Sequence, residues 1–231
     1  MTRIGELNEQ PLHAALKAWY AQPGDETEVP LDGYVIDLVQ DGTLVEIQTG
    51  HFSSIRAKLR TLVESYPIRL VYPIAQEKWL FKLPKPGWEG PRRRKSPKRG
   101  RVEEVFGELV SFPRLLGKEH FSLEVLLIQE EEVRRYGGKR YWYKNGWLTV
   151  NRKLLAVVER QVFENPQAMA RLLSPNLPTQ FTTADIAEEL AIPRWLAQKM
   201  AYCLRKMEAI NKVGKKGRSY LYERVKNVFK A

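Results

Sequence analysis

Asp37, Glu46 and Gln48 are the residues whose types and spacing in this chain could do chemistry. Asp37 lies near the end of an apolar run at residues 33–38, and the other two lie in a second apolar run at residues 43–48. Carboxylates inside apolar strands need a cation or hydrogen bonds to be tolerated there. Because two carboxylates with an amide or backbone oxygen are ligands for a hard divalent cation, these residues predict a cation site.

A β-hairpin would bring the three side chains together. The turn at residues 40–43 contains an Asp-Gly pair, which is a strong short-range hairpin signal, so the two runs should pair antiparallel. Successive side chains of a strand point to opposite faces. Glu46 and Gln48 therefore share a face, and Asp37 on the preceding strand can lie beside them.

The elements around the hairpin follow from apolar periodicity. Leucine and aromatic residues at helical spacing predict a first helix over residues 9–21, followed by an acidic loop. A second helix is predicted over residues 53–65, and two apolar runs at residues 68–74 and 78–83 indicate strands. The order α-β-β-α-β-β predicts an α/β domain with a central mixed sheet over residues 1–83.

The constellation of Asp37, Glu46 and Gln48 in this order of elements resembles the PD-(D/E)XK nuclease superfamily. In that superfamily an Asp begins the acidic site and a D/E-x-K motif follows on the next strand. The arrangement is similar to Holliday-junction resolvases and to some restriction endonucleases. The resemblance implies a metal-dependent endodeoxyribonuclease, with Mg²⁺ or Mn²⁺ held by Asp37, Glu46 and the carbonyl of Ile47.

Gln48 departs from the pattern, because the superfamily usually has Lys there. The resemblance assigns Gln48 to positioning the nucleophile, but an amide can only donate and accept hydrogen bonds and supplies no cation. His51 or Lys58, just downstream, could contribute. An acidic residue of the first helix often joins such sites, and Glu9 is the best-placed match, with Glu6 second.

The net charge of +11 is unevenly distributed. Residues 1–84 have 8 basic and 11 acidic side chains, residues 85–101 have 8 and 1, residues 102–173 have 11 and 10, and residues 174–231 have 11 and 5. A polyanion would meet the second and fourth segments, and duplex or branched DNA is the leading partner. The alternative interpretation of such charge runs is a solvated surface.

Residues 84–101 combine four prolines, three glycines and eight basic residues. This composition predicts a linker or mobile loop, because it offers too little apolar surface to pack. If the linker reaches DNA phosphates, the binding residues are Arg92, Arg93, Arg94, Lys95, Lys98 and Arg99.

The remainder, residues 102–231, is predicted to be mainly helical. Residues 102–117 and 123–136 are expected to be helices. Asn145-Gly146 indicates the turn of a short aromatic hairpin, and a further helix is expected from residue 152 to about 173. The last part of the chain, about residues 152–231, is predicted to be a winged helix on the pattern of residues 182–224.

Residues 182–224 have the pattern helix, turn, helix, wing. Thr182 or Thr183 is expected to cap a short helix, and residues 193–207 to form a second, with a buried stripe that includes Trp195. A basic hairpin tip follows at residues 214–218. Such units place the second helix in the DNA major groove and the wing against phosphate. The expected DNA-binding residues are Arg194, Gln198, Lys199, Arg205, Lys215, Lys216 and Arg218.

Other features limit the class of protein. The single cysteine, Cys203, excludes an intramolecular disulfide and a thiolate zinc site, and His13 is expected to be a core or surface histidine. No leader pattern or membrane-spanning apolar run is evident, which favours a soluble, cytoplasmic protein. The resemblance implies a homodimer, because cutting two strands needs two active sites. The alternatives are an inactive winged-helix DNA-binding regulator and an assembly role.

Overall fold

One sheet of seven strands organises the N-terminal two thirds of the chain in the computed structural model, which describes residues 11–138 and 145–225. The first three strands form an antiparallel meander, and a helical crossover then leads to a long strand parallel to the third. The elements are, in order, α1 (Pro11–Tyr20), β1 (Glu26–Leu31), β2 (Tyr34–Gln40), β3 (Thr43–Ile47), α2 (Arg56–Leu62) and β4 (Ile68–Lys82).

The sheet continues beyond residue 83. A short strand pairs with the outer half of β4, and a long antiparallel hairpin completes the sheet, its first strand parallel to β4. The strand order is β1-β2-β3-β4-β6-β7, with β5 beside β4. These elements are β5 (Arg92–Lys95), α3 (Phe106–Leu109), β6 (Phe121–Tyr136) and β7 (Trp147–Phe163).

A smaller unit follows the sheet. Its three strands pair in the order β8-β10-β9. The Thr182 side chain and the Asp185 carboxylate form a capping box at the start of its first longer helix. The elements are α4 (Pro166–Ala170), β8 (Gln180–Phe181), α5 (Thr183–Glu189), α6 (Arg194–Lys206), β9 (Ile210–Lys216) and β10 (Ser219–Arg224).

Two apolar cores lie on opposite faces of the large sheet. The smaller core holds α1 against the sheet through Leu12, Leu16 and Tyr20. The larger core is continuous from α2 and α3 to the buried side of α5 and α6. The small C-terminal unit is therefore packed on the sheet through a shared core.

The prediction of an α/β fold with a mixed sheet is confirmed, and several elements predicted for it are wrong. Residues 26–31 form strand β1 and not an acidic loop, so the order begins α-β-β-β-α-β. The two strands predicted at residues 68–74 and 78–83 are one strand, β4, which ends at Lys82. The predicted boundary at residue 84 falls between two strands of the same sheet.

The predicted helices at residues 123–136 and 152–173 are also wrong, because β6 and β7 occupy most of these residues. The Leu- and Glu-rich sequence of β6 has helical propensity, which tertiary context routinely overrides. Glu130 in the middle of β6 is fully buried, and Lys78 of β4 and Arg152 of β7 form ion pairs with it at 2.9 and 2.7 Å. Residues 102–117 form only short helical turns.

The predicted linker is partly a packed element. Strand β5 pairs with β4, and Gly100 donates its N–H to the carbonyl of Ala75 at 3.0 Å. A Cβ at Gly100 would lie 2.5 Å from that carbonyl oxygen, so only glycine fits this close approach.

No helix in the part of the chain that the structure describes is long and apolar enough to cross a membrane.

Candidate active site

Asp37 lies where the regular pairing of strand β2 is interrupted. Ile36 and Leu38 on either side of it pair with β1, and the pairing with β3 ends at Leu38. Ile36 packs in the larger core and Leu38 in the smaller one, so the two-residue alternation is broken at Asp37. Its carboxylate accepts the backbone N–H of Ile47 at 2.8 Å. As with a β-bulge, the irregularity re-aims the side chain.

Glu46 of β3 is 5 % exposed and forms an ion pair through Oε1 with the ammonium of Lys58. Lys58 belongs to α2 and also donates to the carbonyl of Val35 at 2.5 Å. Burial, followed by the negative charge of Asp37, raises the pKa of Glu46 to about 7, and the Lys58 cation opposes that rise. Glu46 therefore changes its protonation near neutral pH.

Asp37 has the opposite behaviour. Burial alone would raise its pKa, but the hydrogen bond and charge of His13, the N–H of Ile47 and the Lys58 cation lower the pKa overall. The Nε2 atom of His13 lies 3.1 Å from Asp37 Oδ2. The two carboxyl groups are thus pushed apart in pKa, a pattern that separates an ionised group from a proton acceptor.

Gln48 follows β3, and its amide faces the turn that leads into α2. Its Nε2 donates to the Gly50 carbonyl, to the His51 carbonyl at 3.3 Å and to Ser54 Oγ at 3.2 Å. The side chain therefore holds the segment that positions α2, and with it Lys58. His51 contributes its backbone to this turn, and its side chain is exposed.

On helix α1 the residue that reaches the carboxylates is His13, which the sequence indicated only as a core or surface histidine. Glu9 and Glu6 lie outside the described residues. The sequence signal for His13 is its position beside the buried stripe of Leu12 and Leu16. Nothing local in the sequence joins it to Asp37, which is 24 residues away.

The donor set limits how a metal could be held. In residues 11–138 and 145–225, no group of three or more His, Cys, Asp and Glu side chains is placed to hold a metal ion. Asp37 and Glu46 bring two carboxylates to this point, and Ile47, whose carbonyl was the third expected ligand, donates its N–H to Asp37. Mg²⁺ keeps several waters and commonly uses only one or two carboxylates, so these donors fit a largely hydrated ion and not a closed cage.

Most cations of the predicted DNA-binding linker are paired with carboxylates. Arg92 and Arg94 are exposed and have no carboxylate partner in the described part of the chain, and Arg92 lies 4.0 Å over the Trp88 ring. The other four pair as Arg93 with Glu131 at 2.6 Å, Lys95 with Glu77 at 2.8 Å, Lys98 with Glu104 at 3.2 Å and Arg99 with Glu77 at 3.3 Å.

Helix α6 presents an exposed stripe. Arg194, Gln198 and Arg205 are exposed on it, whereas Lys199 is half-buried and donates to the Gly107 carbonyl at 2.9 Å. Trp195, predicted to be buried, is 53 % exposed; the core takes the neighbouring Leu196, Ala197, Met200 and Ala201 instead.

The hairpin that follows α6 is strongly basic. Lys215, Lys216 and Arg218 are exposed and form no ion pair within the residues that the structure describes, although the charge of Lys216 helps to lower the pKa of Asp185. Lys212 lies 3.7 Å over the exposed ring of Tyr220. The exposed stripe of α6 and this hairpin together offer aromatic rings and exposed cations.

The raised pKa of Glu46 predicts a pH-dependent contribution to stability. Between the ordinary carboxyl pKa of 4.5 and about 7, the folded chain holds a proton that the unfolded chain has released. The free energy of unfolding should therefore fall as pH rises through this window, by about 3 kcal/mol at 1.36 kcal/mol per pKa unit. Urea unfolding of wild type and Glu46→Gln across this pH range should show the decline as a difference between the two. Parallel curves would contradict the raised pKa.

Comparison with known proteins gives a family. The chain is 34% identical over 189 residues to an uncharacterized protein of Treponema pallidum (strain Nichols), covering 80% of this chain and 74% of that protein. No solved structure matches. The model of a domain of unknown function, DUF8091, matches residues 10–164, which include α1, the candidate site and all seven strands of the large sheet. The chain therefore belongs to the DUF8091 family.

Proposed function

We propose that the protein is a metal-dependent DNA endonuclease that hydrolyses phosphodiester bonds, with a PD-(D/E)XK-like core and a C-terminal winged helix that binds DNA. The observation that carries the proposal is Lys58 beside Glu46, next to Asp37. The sequence at Gln48 lacks the lysine of the resembled site. Lys58 supplies an ammonium group to the Glu46 carboxylate instead, from helix α2 and not from the strand that carries Glu46.

The order of elements supports the same proposal. Helix α1, strands β2 and β3, helix α2 and strand β4 give the α-β-β-α-β order of the resemblance, with β1 as an added edge strand. Asp37 and Glu46 come from the two strands of the hairpin, where their ladder ends.

The chain's own residues have distinct parts in the proposed hydrolysis. A water oxygen forms a bond to phosphorus while the bond to the leaving sugar oxygen breaks, and the water gives up a proton. Glu46 can accept that proton only as the ionised carboxylate, and burial and the charge of Asp37 set its pKa to about 7 in the fold without a bound ion. Lys58 then faces the charge that develops on the phosphate.

Asp37 and His13 complete the site. Asp37 stays ionised, so it can hold Mg²⁺ or Mn²⁺ together with Glu46 and the Ile47 carbonyl. Such an ion, when bound, lowers the pKa of water and offsets phosphate charge. His13 fixes the orientation of the Asp37 carboxylate at 3.1 Å, and Gln48 fixes the turn before α2.

Helix α6 and the β9–β10 hairpin would bind the duplex. Three-helix units with a wing place the second helix in the major groove, and the exposed stripe with Arg194, Gln198 and Arg205 has suitable donors. Lys215, Lys216 and Arg218 would lie against phosphates. Since two nicks are needed to cut a duplex, a homodimer is part of the proposal.

The alternative is a catalytically inactive winged-helix DNA-binding protein or regulator. The observation that favours it is the internal compensation of the carboxylates: Lys58 pairs with Glu46, and His13 and the Ile47 N–H pair with Asp37. A buried acidic pair satisfied in this way can serve the fold alone.

A cleavage panel separates the two functions. Linear duplex, single strand, flap and four-way junction would each be incubated with the full chain and Mg²⁺ or Mn²⁺, and with EDTA as control. The endonuclease proposal expects cleavage of at least one substrate that stops with EDTA. Tight duplex binding with no cleavage of any substrate would overturn it in favour of the binding protein.

A further inference from the structure

A basic pocket lies between helix α2, the loop before β6 and the C-terminal half of α6. Its volume is about 510 Å³. Phe112, Pro113 and Leu115 contribute apolar lining, and Ser111 and Tyr202 add hydroxyl groups. Five cations and one carboxylate line it, a formal excess of four positive charges: Arg56, Arg60, Arg114, Lys118 and Lys206, with Glu64.

The cations of the basic pocket are largely uncompensated. Lys118 pairs with Glu64 at 3.0 Å, and both side chains are more than half exposed. Arg56, Arg60 and Arg114 are exposed and have no carboxylate partner in the described ranges, and neither has Lys206. Like charges held together in a concavity raise the local concentration of an anion. Most of the positive charge in the basic pocket is therefore not neutralised by ion pairs with the carboxylates that the structure describes.

A neighbouring cavity indicates which side of the basic pocket favours an anion. A second cavity of about 540 Å³ shares Arg114, Lys118 and Lys206 with the basic pocket. That cavity also carries Glu119, Glu164 and Glu208, so its charge is mixed. An anion is favoured on the α2 side, where two arginines stand one helical turn apart.

The position of the basic pocket relative to the candidate active site follows from α2. Arg56 and Arg60 lie two residues before and after Lys58, so they point to nearly the opposite side of the helix. Lys58 faces Glu46 on one side of α2, and the basic pocket lies on the other side. The width of the helix, about 10 Å, separates the pocket from the Lys58 side chain. Successive phosphates of one DNA strand are about 3.4 Å apart along the helix axis, so the separation corresponds to a few nucleotides.

We propose that the basic pocket binds a phosphate group of the DNA backbone, a few nucleotides from the scissile bond. This inference rests on the proposed function. Arginine guanidinium groups bind phosphate through paired N–H donors, and the Ser111 and Tyr202 hydroxyls can donate as well. Tyr202 and Lys206 belong to α6, so the pocket joins the proposed DNA-binding helix to the helix that carries Lys58.

Duplex binding in EDTA tests the proposal without any cleavage readout. The full-length wild type would be compared with Arg56→Gln/Arg60→Gln and with Arg114→Gln, by fluorescence anisotropy of a labelled duplex over a range of NaCl concentrations. The matched control is Lys153→Gln/Arg171→Gln, which removes two exposed cations that line neither cavity.

The double variant of the basic pocket should weaken duplex binding about tenfold and reduce the slope of log K against log[NaCl] by about 1 to 2, the value expected for one or two lost phosphate contacts. The control should leave both unchanged. An unchanged slope and affinity in a folded double variant would overturn the proposal.

Tripolyphosphate titrated into each protein by calorimetry identifies the source of the phosphate. If the wild type binds both tripolyphosphate and duplex, and the double variant loses both, the result supports binding of a DNA backbone phosphate in the pocket. Binding of tripolyphosphate alone overturns the DNA source and points to a free polyphosphate. If the wild type binds duplex without cleaving any substrate of the panel, and the double variant loses that duplex binding, the pocket proposal is supported and the endonuclease proposal fails.

Discussion

Asp37→Ala is expected to abolish DNA cleavage while leaving DNA binding nearly intact. Asp37 is the carboxylate that stays ionised, because His13, the Ile47 N–H and Lys58 outweigh the effect of burial on its pKa. Losing it removes a proposed metal ligand and the anchor of His13 together. The rate should fall by about 10³-fold or more, a loss typical of a group that stabilises the transition state.

The measurement is a single-turnover cleavage assay paired with duplex binding in EDTA. Asp37→Asn is the second variant, because it keeps the shape and an acceptor for the Ile47 N–H but lacks the charge. Glu159→Ala is the control, since Glu159 is exposed on β7 and has no ion pair among the residues described. Cleavage by clean preparations of both Asp37 variants at the wild-type rate would remove Asp37 from the mechanism.

The hairpin of the candidate site was predictable from the sequence because its signals are local. The Asp-Gly turn and the apolar runs on either side of it define both strands, and the structure pairs Gln40 with Thr43 next to the turn. The capping box of Thr182 and Asp185 is local in the same way. Each depends on residues a few positions apart, so one sequence is enough to find it.

Strand β6 could not be predicted in this way. Its run of leucine and glutamate favours a helix by propensity, and only its neighbours reveal why it is a strand. Glu124 is fully buried and pairs with Arg160 of β7 at 2.7 Å, and Tyr20 of α1 donates to it at 2.8 Å. These partners lie 36 and 104 residues away, so the compensation that permits buried glutamates is absent from any local pattern.

The candidate site was predictable in part for the same reason. Asp37 and Glu46 lie on two strands joined by a tight turn, and their proximity follows from the hairpin. His13 and Lys58 reach them from helices on either side of that hairpin in the sequence. Their contribution depends on how α1 and α2 pack on the sheet, which spacing alone does not determine.

Lys58→Met is expected to lower the cleavage rate by about 10² to 10³-fold, the range seen when a donor facing the developing charge is removed. The proposal requires this because Gln48 supplies no cation and its amide is bonded to the turn before α2. Duplex affinity should change little, because the proposed duplex contacts are made by the exposed cations of α6 and of the β9–β10 hairpin and not by Lys58. Lys58→Arg should restore part of the activity, because it keeps the charge with a different shape.

The pH profile of the Lys58 variants distinguishes chemistry from a structural effect. Lys58 lowers the pKa of Glu46 against the effects of burial and Asp37. Its loss should therefore move the acidic limb of the rate profile to higher pH, if Glu46 must be ionised to accept a proton. Lys153→Met, which removes an exposed lysine of β7, should leave both rate and profile unchanged. A Lys58→Met variant that cuts DNA at the wild-type rate with an unshifted profile would show that the ammonium serves only to neutralise Glu46 within the fold.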